Sequence, residues 1–183
     1  MDWEKIIEKE VKRAKITYFK TGRKKYPYLI LPFDSRISFE FQKAVIDGFS
    51  QILKDEIKRA NAILAIEAKG FFPASFLAQK YKKDLIVVRK RDYKIKGQIK
   101  INQKKAYGKG RLFCLGFGLK KNDKVIVIED MISSGGTLIS LIKAIKNKCK
   151  IIGVASVFER GNGREKIEKE TGIKVKTLFR IEI

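Results

Sequence analysis

Residues 125–138, Val-Ile-Val-Ile-Glu-Asp-Met-Ile-Ser-Ser-Gly-Gly-Thr-Leu, constrain this chain more than any other stretch. Four apolar β-formers run into two adjacent carboxylates, Glu129 and Asp130. A loop of small residues follows, and then an apolar helical pattern through Lys146. The order reads as buried strand, acidic strand end, turn and helix start. In an open α/β sheet, ligands sit outside the carboxyl ends of the strands. Glu129 and Asp130 would then stand at the rim of a site, with Ser133 to Thr137 as its floor.

Gly135 and Gly136 let the backbone take conformations closed to other residues and let a ligand come close. Successive N–H groups at a helix N-terminus form an anion pocket, and Ser133, Ser134 and Thr137 add hydroxyl donors. The loop has no lysine, so it suits a terminal phosphate held by N–H and O–H groups. The two carboxylates suit sugar hydroxyls or a hydrated Mg²⁺. The plainer alternative is a βα turn with a helix cap. No Gly-x-Gly-x-x-Gly follows a strand and no Gly-Lys-Ser/Thr is present, which separates this loop from dinucleotide and P-loop sites.

A length of 183 residues with 44% hydrophobic content fits one domain with a real core. No apolar run is long enough to span a membrane. The charged start Met1-Asp-Trp-Glu-Lys does not read as a secretion signal, so a cytoplasmic protein is expected. Cys114 and Cys149 are expected to be reduced and buried. There is no histidine, which removes histidine triads and most zinc chemistry and leaves carboxylates, Lys and Tyr for proton work. The net charge of +22 suits an anionic substrate or a nucleic acid. The basic residues are spread without an arginine-rich arm, so the anionic substrate is favoured and nucleic acid disfavoured.

Along the chain, residues 2–14 have the spacing of a short amphipathic helix carrying Trp3. A basic turn at Lys20–Lys25, containing Gly22, leads to one strand over 26–32 and a loop, Phe33 to Arg36. Ser38 caps a helix over 39–59. A strand over 62–67 turns tightly into a helix over 72–81, and another strand covers 84–89. Residues 91–110 are basic and glycine-bearing, with a possible strand at 98–101, and a further strand follows toward Gly116. After the helix 137–147 come a strand at 151–158, a loop 159–164, a helix 164–171 ended by Gly172, and a last strand over 173–183.

Acid-acid, two residues, then Ser-Ser-Gly-Gly-Thr after an apolar strand resembles the phosphoribosyl-pyrophosphate (PRPP) signature of type I phosphoribosyltransferases. Glu67-Ala-Lys-Gly-Phe71 is similar to the pyrophosphate loop of the adenine members. Val88-Arg-Lys90 followed by Gly97 resembles a purine pattern, and 158–181 looks most like archaeal hypoxanthine and guanine members. The resemblance implies an α/β fold with a central, mostly parallel sheet flanked by helices. It implies a single domain, 1–183, with an N-terminal hood (about 1–37 plus C-terminal segments) and a flexible flap at 90–110. Glu129 and Asp130 would bind the ribose hydroxyls, directly or through Mg²⁺, and act catalytically with Lys69. Ser133, Ser134, Gly135, Gly136 and Thr137 would bind the 5′-phosphate. Ala68, Lys69, Gly70, Arg89 and Lys90 would serve the pyrophosphate, with a non-proline cis peptide near Ala68–Lys69. Phe33, Arg36, Phe158 and Glu159 are the implied base contacts.

The implied activity is transfer of 5-phosphoribosyl from PRPP to a purine in nucleotide salvage, by a cytoplasmic homodimer. Ser133 stands where hypoxanthine-guanine members carry an Asp, and the flap after Tyr107-Gly lacks the Glu of adenine members. The base therefore stays open among hypoxanthine, guanine and adenine. The proton-handling residue stays open among Glu159, Asp130, Tyr93 and Tyr107. The alternative of the same fold is a PRPP-sensing, nucleic-acid-binding regulator.

Overall fold

A computed structural model of the protein describes residues 2–21, 24–105 and 108–182. The chain runs α1 (Trp3–Lys12), β1 (Lys15–Thr21), β2 (Lys24–Ile30), α2 (Phe39–Ile52), α3 (Lys54–Arg59), β3 (Ala62–Ile66), α4 (Phe71–Tyr81) and β4 (Asp84–Arg89). It continues through β5 (Gln98–Lys105), β6 (Gly108–Leu115), β7 (Lys124–Ile132), α5 (Gly136–Ile145), β8 (Lys150–Glu159), α6 (Gly163–Thr171) and β9 (Val175–Arg180). Seven strands form one sheet in the order β5-β6-β4-β3-β7-β8-β9. The pairs from β4 through β9 are parallel, and the β5–β6 hairpin adds an antiparallel edge.

Strand alternation divides the core between the two faces of the sheet. Ile63, Ala65, Ile126 and Ile128 face one side and pack with Ile7, Phe41, Phe49, Ile57 and Leu77 from α1–α4. Leu64, Ile66, Val125 and Val127 face the other side and pack with Leu138, Leu141 and Ile142 of α5, Ile167 of α6 and Ile101 of β5. Because both faces are covered, β3 reads as a continuous apolar run, Ala-Ile-Leu-Ala-Ile, and is buried throughout.

Several boundaries differ from the sequence reading. The expected helix over 39–59 breaks at Leu53, whose φ/ψ of −110°/19° departs from the helix while its side chain is wholly buried. The N-terminal region forms a two-stranded ribbon: β1 pairs antiparallel with β2, from Lys15 opposite Ile30 to Thr21 opposite Lys24. The mixed Lys-Ile-Thr-Tyr-Phe-Lys-Thr of β1 carries no one-sided apolar pattern, so sequence periodicity does not show it. Pro27 is accommodated because the ribbon has no third strand to receive an N–H from it. Strand β7 continues through both carboxylates to Ile132, which stands opposite Glu159 of β8. Gly22 and Tyr107, named above in the basic turn and the flap, lie outside the described residues.

Phe158 and Phe33 were expected at the base but belong to the core. Phe158 is wholly buried and Phe33 is 5% exposed. Phe33 meets Phe41 edge-on at 5.4 Å and Phe158 at 6.2 Å, and stacks parallel to Phe72 at 6.3 Å. Phe158→Ala is expected to lose about 3–5 kcal/mol of stability in urea unfolding. A loss below about 1 kcal/mol would contradict this placement. Both cysteines are free and buried, and burial pushes each thiol up to about 11. At pH 8, a value about three units lower, the thiolate is scarce. Both should therefore resist a thiol reagent in the native protein and react on denaturation.

Candidate active site

The chain leaves β3 through α4 toward β4, and leaves β7 through α5 toward β8, on the opposite side. Between two such strands an open α/β sheet has its switch point, and the loops beyond their carboxyl ends form a crevice. The loop after β3 is Glu67 to Gly70, and the loop after β7 is Ser133 to Gly135. The loop after β3 packs closely on the end of β7: a Cβ built on Gly70 would lie 2.7 Å from Glu129 Oε1 of β7 and 2.8 Å from the Ile66 carbonyl oxygen of its own strand. Glycine is therefore required at position 70 by space, since its φ of −58° is open to any residue. The cis peptide is Glu67–Ala68, one bond earlier than expected.

A cavity of about 300 Å³ opens between these loops. All five residues of Ser133, Ser134, Gly135, Gly136 and Thr137 line it, with Glu67, Lys90, Gln103 and Glu129. Gly135, at φ 73°, makes the left-handed turn into α5. The first N–H groups of α5 have no acceptor within the helix and point at this floor. Lys90 supplies the cation that the loop itself lacks.

Glu129 and Asp130 do not form a single clamp. Neighbours on a strand point to opposite faces, and β7 carries both. Glu129 lines the cavity but is only 8% exposed, and its Oε1 accepts the Asp130 N–H at 3.1 Å. Burial pushes its carboxyl well above the usual range, and the adjacent Asp130 pushes it further. Asp130 turns instead to Lys69, with Oδ2 3.5 Å from Nζ.

Lys69 faces a second cavity, of about 170 Å³, lined by Pro27, Tyr28, Leu29, Leu31, Met131, Ser133 and Arg160. Its ammonium donates to Tyr28 Oη at 2.6 Å and Asp34 Oδ1 at 3.0 Å. Tyr28 in turn donates to the same Asp34 oxygen at 2.5 Å. Burial works against the charged lysine, but the Tyr28 hydrogen bond, Asp130 and Asp34 outweigh it and raise its pKa. Sequence reasoning missed Tyr28 and Asp34, because no local pattern signals a contact to a residue some 35–41 positions away.

The remaining expected residues separate in the same way. Arg89 binds Glu67 through Nε at 2.9 Å and lies over the Phe71 ring. Lys90 N–H donates to the same Glu67 oxygen at 2.7 Å. Glu67 thus ties the end of β4 to the loop after β3, and these hydrogen bonds hold its carboxyl below the usual range, that of Lys90 first. Ala68 shares that loop. Glu159 is wholly buried, accepting from Thr177 Oγ1 and Arg180 Nη1 at 2.9 Å each, with Arg164 at 3.5 Å. It joins β8, β9 and α6 and reaches neither cavity. Arg36 is exposed on its loop, and Tyr93 is 38% exposed with Arg91 over its ring. Neither lines a described cavity.

The family pattern described as "phosphoribosyl transferase domain" matches residues 39–179. The chain is 36% identical over 163 residues to the hypoxanthine/guanine phosphoribosyltransferase of Methanocaldococcus infernus, covering 88% of each chain. It is 34% identical over 180 residues to the enzyme of the same name from Methanocaldococcus vulcanius, covering 97% of this chain and 95% of that one. Among solved structures, adenine phosphoribosyltransferase from Rhodothermus marinus superposes with a TM-score of 0.78 at 15% identity, covering 97% of this chain and 99% of that one. At that identity the likeness is one of fold.

Gly70→Ala is expected to cost roughly 1–3 kcal/mol in urea unfolding, as overpacking against a fixed carbonyl does. Gly118, beside which a Cβ meets nothing within 4 Å, is the control. Gly118→Ala should change stability by less than about 0.5 kcal/mol. Equal effects at the two positions would refute the close packing of the β3 loop against the end of β7.

Proposed function

The chain belongs to the phosphoribosyl transferase family and is a purine phosphoribosyltransferase, and from that premise we propose that its base is the 6-oxopurine hypoxanthine or guanine. The archaeal relatives carry that name over nearly their whole length. The residues lining the second cavity include Arg160, whose guanidinium is a fork of N–H donors. Such donors suit the carbonyl oxygen of a 6-oxopurine, while Leu29, Leu31 and Met131 suit its ring faces. Supporting the activity above all is the convergence of the two loops at the switch point, with the Ser133–Thr137 floor beside the base-sized apolar cavity. The enzymatic reading stands over the regulatory one.

In this reading the 5′-phosphate lies on the α5 N-terminus and the hydroxyls of Ser133, Ser134 and Thr137. The C1–O bond of PRPP breaks with its electron pair going to pyrophosphate, and a purine nitrogen bonds to C1 and sheds its proton. Lys90 and the Ala68–Gly70 backbone offset charge on the leaving group. The β5–β6 hairpin excludes water from an oxocarbenium-like transition state. Positioning and electrostatics then carry the rate.

Among the described residues no group of three or more acidic, Cys or His side chains could cage a metal. Mg²⁺ binds through one or two carboxylates plus substrate oxygens and keeps its waters, which fits Asp130, while Glu129 is 8% exposed. Bound there, Mg²⁺ would neutralise charge on the pyrophosphate. The reading also includes a homodimer: Leu85 and Val87 project from one face of β4 at 39% exposure each, an apolar pair suited to a second subunit. No helix among the described residues is long and apolar enough to cross a membrane.

PRPP-dependent pyrophosphate release should be seen with hypoxanthine and guanine and be weaker with adenine. Preference for adenine would overturn the choice of base. Asp130→Asn combined with Glu129→Gln should cut turnover at least about a hundredfold while the circular dichroism spectrum is retained. Near-wild-type turnover in that double variant would remove the pair from the mechanism.

A further inference from the structure

Strand β5 presents Ile99, Ile101 and Gln103 on one face, by the two-residue period of a strand. Ile101 is 1% exposed, and Ile99 packs against the same core. The third position of this apolar row is an amide, only 5% exposed. A polar side chain in such a slot is costly unless its groups are used. Gln103 Nε2 donates to Thr137 Oγ1 at 3.1 Å, while Oε1 is buried with no hydrogen-bond partner among the described residues. Both residues line the larger cavity, beside Ser133 to Gly136.

We propose that Gln103 is a positioning residue that aims the Thr137 hydroxyl at the 5′-phosphate and so couples the β5–β6 hairpin to the phosphate loop. The inference rests on the phosphoribosyltransferase reading of that loop. A threonine hydroxyl has one hydrogen to give and two lone pairs to fill. Unpartnered, its hydrogen turns to whichever acceptor is nearest, a helix carbonyl included. The Gln103 amide occupies a lone pair and leaves the hydrogen to point into the cavity. Amide, hydroxyl and phosphate then form a chain of donors running one way, in which each bond strengthens the next. Oε1 stays in the wall as an acceptor for a donor on the ligand, such as a pentose hydroxyl. The placement also links hairpin and ligand, since a shift of β5 along α5 withdraws the amide from Thr137.

The test uses ribose 5-phosphate and pyrophosphate as separate probes in titration calorimetry, with PRPP kinetics alongside. Gln103→Met keeps the volume and removes both hydrogen-bonding groups. It should weaken ribose 5-phosphate and raise KM for PRPP about tenfold each. Pyrophosphate affinity and kcat should change by less than about twofold. Thr137→Val should lose as much, and the double variant no more than either single one. Gln103→Glu, nearly the same shape, turns the hydroxyl back on itself and adds a negative charge. It should weaken ribose 5-phosphate further, and it keeps the inference testable if the Met variant folds poorly. Unchanged ribose 5-phosphate binding, equal loss of both probes, or additive losses would overturn the inference alone. A wild-type protein that binds no ribose 5-phosphate would overturn the parent reading and the inference with it.

Discussion

The parallel ladder between β3 and β7 is the constraint on which the site depends. Its register, Ala62 opposite Val125 through Ala65 opposite Ile128, brings the ends of both strands to one level. The two chains then leave in opposite directions, and the gap between them becomes the floor of the site. A slip of one residue would turn Glu129 toward the face now filled by Ile126 and Ile128, and would turn an isoleucine toward the cavity. Burial on both faces forbids that slip, so the hydrophobic core sets the relative height of two polar loops that share little direct bonding. The space left between them is small enough that position 70 admits no side chain.

Long-range and local electrostatics have opposite signs in this protein. The chain as a whole carries +22, which draws in a highly charged phosphate ester from a distance. The crevice itself gathers Glu67, Glu129, Asp130 and, at its hood side, Asp34. Two of the four are compensated within the site: Glu67 by Arg89 and the Lys90 N–H, Asp34 by Tyr28 and Lys69. Glu129 has no ion pair among the described residues, and burial raises its carboxyl above the usual range.

How much of this was legible in the sequence depends on whether a feature is local. The strand, loop and helix at 125–145 follow from a run of β-formers, two glycines and a helical apolar period within some 20 residues, and they are found. The splitting of Glu129 from Asp130 was also available, since alternation in a strand separates neighbours, but only if β7 was known to run past the pair. Its length is set by pairing with β8, which no local pattern reveals. Gln103 carried a weak signal, a polar residue at the third position of an isoleucine row. Tyr28 and Asp34 carried none, because their importance comes from a loop that folds back from beyond β3. Phe33, Phe158 and Glu159 show the converse error. A family likeness located their segment correctly, but the side chains of that segment point into the core, where Glu159 is held by Thr177 and Arg180.

Lys69 shows what ligand binding must change. Its ammonium already satisfies Tyr28, Asp34 and Asp130, so it offers no free charge to the larger cavity. An anionic ligand would gain from it only as those contacts are exchanged. Asp130 is the partner most open to exchange: its contact is the longest of the three, at 3.5 Å against 2.6 Å and 3.0 Å. A cation or pentose hydroxyls reaching Asp130 would displace the lysine there and leave Tyr28 and Asp34 as its remaining anchors. Because those two belong to the N-terminal segment, the same exchange is felt by the wall of the second cavity. A ligand that displaces Lys69 from Asp130 would thus be coupled, through one lysine and two opposed carboxylates, to the shape of the second cavity.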